Sequence, residues 1–179
     1  MTKEFGDPGA AQPLKVTAKR LPLELIADQG IAHVLGLWIQ RRGAKAMPAR
    51  RTLRPEELAP VLGKVNLLAV LRDPLRFQFR VRGSVIANLH DRDMTGRDVR
   101  DMQPPEYRDM LLGHYAEAVT AAAPILYDIR VARGRHEASY RRIILPLGRA
   151  DGFVEMLLTV SAWESGFPAK TELLGFKHR

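Results

Sequence analysis

The chain has 179 residues, of which 46% are hydrophobic and 27% charged, with no Cys and a formal net charge of +8 at pH 7. That length suits a single domain burying roughly 70% of its unfolded surface, and the composition argues against disordered and membrane-embedded classes. Without Cys there is no disulfide, thiol nucleophile or Cys-ligated zinc, and the basic excess, seven Lys and otherwise Arg, asks for an anionic partner.

Residues 1–20 hold Gly6, Pro8, Gly9 and Pro13 among scattered charges, the pattern of a flexible arm. Glu4 and Asp7 stand where a secretory leader would be apolar, and no apolar run approaches the ~20 residues of a membrane span. The expectation is a cytoplasmic protein. Leu23, Ala27, Ile31, Val34, Leu35 and Trp38 recur at helical spacing and predict a helix over 23–42, ended by Gly43. Gly30 and Gly36 weaken it, each by about 1 kcal/mol relative to Ala, unless a neighbour needs the space. Pro55-Glu56-Glu57-Leu58 starts a short helix with its acids at the positive end, closed by Gly63.

An apolar run at 67–71, a turn at Asp73-Pro74 and the alternating Phe77-Gln78-Phe79-Arg80-Val81-Arg82 predict a hairpin with Phe77, Phe79 and Val81 on one face. Residues 84–89 read as a short helix and His90-Asp91-Arg92-Asp93 as a polar bend. Pro104-Pro105-Glu106 opens a helix to about Ala122, with Tyr107, Met110, Leu111, His114, Ala118 and Ala121 near one stripe. Three strands follow, over 125–131, 139–147 and 153–163, the first two joined by the turn Arg133-Gly134-Arg135. Gly166, Pro168 and Lys177-His178-Arg179 belong to a tail. This order predicts an α+β domain: a five-stranded antiparallel sheet with helices on one face, preceded by an N-terminal helix.

The same residues carry a resemblance. Trp38 with Arg42-Gly43, Met47-Pro48-Ala49-Arg50-Arg51 before Pro55-Glu56-Glu57-Leu58, and Phe77-Gln78-Phe79-Arg80-Val81-Arg82-Gly83 before Asp93-Met94-Thr95-Gly96 resemble the single-domain PAS family of alphaproteobacteria. Tyr140-Arg141-Arg142-Ile143-Ile144-Leu145-Pro146-Leu147, with Asp151-Gly152 after it, resembles the family's penultimate strand and hairpin. The resemblance spans about 23–163 and implies a PAS-like domain over 21–165, between an arm (1–20) and a tail (166–179). It implies a sensor or adaptor and not an enzyme, with a curved sheet enclosing a ligand pocket and a homodimer made through the N-terminal helix. A small-molecule ligand and a signalling partner go with that reading, while fold alone identifies no ligand or cofactor. With no Cys, sensing by a flavin–thiol adduct is excluded.

Several clusters invite chemistry. Arg41, Arg42, Lys45, Arg50, Arg51 and Arg54 form a basic run suited to phosphate, or equally a solvated segment pairing with Glu56 and Glu57. Arg80 and Arg82 are expected on one strand face, and Tyr140 and Arg142 on another. If those faces meet, they hold a carboxylate or phosphate; otherwise they face water and pair with Asp128 or Glu155. Arg51, Arg80, Tyr140 and Arg142 are accordingly the candidate ligand-binding residues. His90, Asp91 and Asp93 lack a recognised metal spacing, and His33 and His114 read as helix-stripe histidines more readily than haem ligands. No catalytic set or phosphate-cradling glycine loop stands out. The alternative to a sensor is a basic nucleic-acid-binding or scaffold domain, against which stands the scarcity of aromatics near the basic run.

Overall fold

A computed structural model describes residues 12–87 and 94–163. The expected alternating segments form strands β2 (Val65–Leu71), β3 (Arg76–Arg82), β4 (Ile125–Arg133), β5 (His136–Gly148) and β6 (Val154–Trp163). A further strand, β1 (Lys15–Leu21), makes the sheet six-stranded, in the antiparallel order β1-β4-β5-β6-β2-β3. The segment read as the end of a flexible arm thus pairs with β4 from Lys15↔Ala132 to Leu21↔Leu126. It carries almost no apolar alternation because it is an edge strand with Lys15, Lys19 and Arg20 exposed, the usual protection of an open edge.

Helix α1 (Gln29–Arg42) is shorter than its apolar stripe implies. Asp28 caps it by accepting from the Ile31 N–H at 2.9 Å, and Leu23–Leu25 is a separate 3-10 turn. Pro55–Lys64 is a 3-10 helix, α2 (Ser84–Ala87) is a single turn, and α3 (Pro105–Ala121) opens on Pro as its sequence predicts. The bend at 90–93, the C-terminal tail and the first part of the arm lie outside the described residues.

In β5 every residue from Arg142 to Gly148 is buried, so both faces of the sheet are covered there. Tyr140 and Arg142 face α3, where they meet Tyr107. Arg141, pointing the other way, reaches the Leu25 carbonyl just ahead of α1, and the Trp38 indole donates to the Pro146 carbonyl at 2.7 Å. Helix α3 therefore takes one face, and the N-terminal helix takes the other.

One local irregularity decides what the α3 face presents. Leu67 pairs with Val81 but Leu68 pairs with Phe79, so Arg80 is an extra residue in β3. The expected grouping of Phe77, Phe79 and Val81 is broken. The two Phe are buried, while Val81 is 45% exposed. Arg82, expected beside Arg80, returns to the side of Phe79, with its guanidinium 5.0 Å from that ring.

Candidate functional site

Strand register gathers polar side chains on the α3 face of an otherwise apolar sheet. Arg82 pairs with Asn66, Asn66 with Thr159, Ser161 with Arg142, and Arg142 with Tyr127. Asn66, Thr159, Ser161 and Arg142 are all buried. A row of this kind has no counterpart in a simple hydrophobic core, where buried polar groups are few and satisfied.

Arg142, 3% exposed, is its centre. Nη2 donates to the Tyr140 hydroxyl and, at 3.3 Å, to the Tyr107 hydroxyl, and the two hydroxyls are 2.9 Å apart. Nη1 has no partner, and neither do Asn66 Oδ1 and Thr159 Oγ1. Among the described residues no carboxylate pairs with Arg142. Enclosing a cation costs several kcal/mol after relaxation, and phenol dipoles offset only part of that. Burial pushes the Tyr140 and Tyr115 phenols above the ordinary range, so both stay neutral hydroxyls. Burial disfavours the Arg142 charge, and Tyr140, Tyr107 and Tyr115 act in the opposite direction, so the guanidinium stays protonated.

Beside these groups lies a cavity of about 20 Å³. Its polar wall is Arg142, Arg82, Asn66, Ser161 and Tyr107, and its apolar wall includes Phe79, Met102 and Leu111. Trp163, also on the wall, packs at 4.2 Å on Tyr140. The space is about that of one water-sized guest.

Next to the chamber, His114 stacks on Tyr127 with ring centres 3.6 Å apart. Desolvation, with repulsion from Arg142, lowers its pKa to about 3, and its Nδ1 has no partner. The Tyr127 hydroxyl donates to Glu117 on α3, which also receives Arg20 of β1 at 2.8 Å. Desolvation and that carboxylate raise the Tyr127 phenol. Sheet edge, β4 and α3 are thereby linked through side chains.

The structure brings together two of the four candidate ligand residues, Tyr140 and Arg142. Arg51 is exposed in the 3-10 turn Arg50–Thr52, and Arg80 is exposed and bonded to Gln78 at 3.2 Å. Neither lines the chamber. Arg82, Tyr107, Asn66 and Ser161 do, and sequence reading did not select them. Arg82 depends on the bulge, and the others sit in segments whose apolar pattern hid them.

The basic run is largely engaged within the fold. Arg41 pairs with Glu57, Arg54 lies 3.7 Å from the same carboxylate, Arg42 sits over Trp38, and Arg50 donates to the Leu53 carbonyl. The Arg54 backbone N–H and the Arg41 guanidinium hold the Glu57 carboxyl below its usual range. Outward arginines of the sheet pair with acids, Arg141 with Asp128 and Arg130 with Glu137. His33 is exposed on α1 and bonds the Glu57 carbonyl at 2.8 Å, so only His114 is the core histidine expected of both. Among the described residues no cluster has the ligands for a metal, and no helix is long and apolar enough to cross a membrane.

No curated protein matches the chain. Among solved structures, an RNA-binding light-oxygen-voltage receptor is similar at 13% identity and a TM-score of 0.40. That match covers 86% of this chain but 39% of the receptor's. A family model described as a PAS domain matches residues 27–160.

Proposed function

Because the chain belongs to the PAS domain family, we propose that it is a cytoplasmic sensory module and not an enzyme. It takes up a small ligand between the sheet and α3, and it signals through a change in dimer or partner contacts. The observation that carries this reading is Arg142, enclosed, without a carboxylate among the described residues, and with one nitrogen unpaired beside a cavity. A buried charge left this way is unfavourable on its own and is satisfied by a guest. Tyr107 supplies a route outward, since it touches the chamber and belongs to α3. A second copy would dock on α1, whose outer side exposes Ala32, Gly36 and Ile39, the last by 52%.

A ligand shifts an equilibrium only by its differential affinity for two states. Mass spectrometry under native conditions, on full chain purified from its own cells, should find retained mass. Removing that mass by dialysis should change the monomer–dimer ratio or the set of co-purifying proteins. A chain that carries no guest, with an assembly state indifferent to dialysis, would remove the sensor reading.

A further inference from the structure

Building on that reading, we propose that the guest of the Arg142 chamber is a single small monoanion, of the size of chloride or formate. Charge comes first. The chamber encloses a guanidinium with no carboxylate among the described residues, so one negative charge neutralises it. Arg82, the other guanidinium of the wall, is only partly buried and lies against Phe79, so Arg142 is the enclosed charge. Size comes next: about 20 Å³ is the space of one water-sized guest, which places the anion among the smallest. Flavins, haem and nucleotides do not fit.

Donor geometry agrees with this. Nη2 is occupied by the Tyr140 and Tyr107 hydroxyls, leaving Nη1 as the free donor. The guest is therefore held by one prong of the guanidinium instead of the bidentate fork that selects larger carboxylates and phosphates. The Ser161 hydroxyl, on the residue paired with Arg142, lines the same space and supplies a second donor. Asn66 presents its amide there too, and a half-turn of that amide replaces its unpartnered oxygen by N–H donors. Phe79, Met102 and Leu111 close the apolar side and strengthen every contact to the ion by excluding water.

The test uses the full chain dialysed into sodium gluconate, an anion too large for the chamber. Chloride, formate or sulfate then replaces gluconate at constant sodium, read by calorimetric titration and by the thermal midpoint. Chloride or formate should bind saturably with one site, and sulfate should not. Arg142→Met should weaken binding at least about ten-fold, the loss expected for a charge-assisted contact. Ser161→Ala keeps the arginine and should weaken it about two- to ten-fold, which preserves the test should Arg142→Met not fold. Arg51→Ala and Arg80→Ala should leave binding unchanged. No saturable response to either monoanion, or an equal response in folded Arg142→Met, would overturn the proposal. A larger retained molecule would overturn the monoanion but leave the sensor standing. Saturable monoanion binding with no effect on assembly would support this site and remove the sensor reading.

Discussion

Two aromatic rings stacked 3.6 Å apart place His114 where a proton is unwelcome. Its residue is 8% exposed, and desolvation with the Arg142 charge lowers its pKa from 6.5 to about 3. Between those values the unfolded chain binds a proton that the folded chain refuses, so stability is intact above pH 6.5 and falls as pH drops towards 3. By pH 5 the loss is about 2 kcal/mol. Chemical denaturation at pH 7 and pH 5 should show wild type losing about that much more than His114→Gln. Equal losses would mean that the imidazole takes its proton without unfolding. At this scale the pairing of Tyr140 with Arg142 was legible, because side chains two apart on a strand share a face. Their Tyr107 partner was not, since strand-to-helix proximity across about 30 residues leaves no local pattern.

Elements answer to a different kind of signal. The stripe that announced α1 was real, with Ile31, Val34 and Trp38 buried, but the start of the helix was set by the Asp28 cap and not by the first apolar residue. Its two glycines prove to be of different kinds. A Cβ on Gly30 would stand 2.8 Å from Val61 Cγ1, whereas one on Gly36 would meet nothing within 4 Å. Gly36→Ala should therefore stabilise the protein by up to about 1 kcal/mol, the helix propensity difference. Gly30→Ala should recover none of it or destabilise, since Val61 must give way. Thermal unfolding of the two variants decides this, and equal stabilisation would show that Val61 yields freely. In a monomeric protein the open space beside Gly36 makes that gain independent of partners, so a loss of dimerisation in Gly36→Ala would mark this face as the contact between copies. Strand β1 was illegible for the opposite reason, because an edge strand facing water needs no apolar alternation, and its pairing partner lies more than a hundred residues away.

Over the whole molecule, the +8 charge is resolved into arginines with separate occupations. Arg41, Arg42, Arg50 and Arg54 engage Glu57, Trp38 and a backbone carbonyl, Arg130 and Arg141 on the outer sheet pair with acids, and Arg142 is enclosed. A polyanion groove needs many of them free along one surface. Duplex DNA or RNA should accordingly bind weakly and lose nearly all affinity between about 50 and 200 mM salt, as counterion release dictates for nonspecific contacts. Tight binding that survives 200 mM salt with a preferred sequence would restore the nucleic-acid alternative. Composition announced the charge but not its distribution, because distribution belongs to tertiary packing. The α+β class and five of the six strands were legible from alternation and turn residues, which are local.

The extra residue at Arg80 makes the chamber depend on parity. Residues 81 and 82 exchange sides if Arg80 is taken into regular pairing with Leu67. Deleting Arg80 would leave Val81 opposite Leu67 and Arg82 opposite Asn66, whereas drawing Arg80 into the ladder would turn Val81 inward and send Arg82 to water, changing a basic wall to an aliphatic one with no substitution inside the chamber. Register shifts in a strand normally damage a core. Here, at an open edge with room for one, loss of the bulge supplies a route by which the same scaffold is re-specified for guests of different polarity.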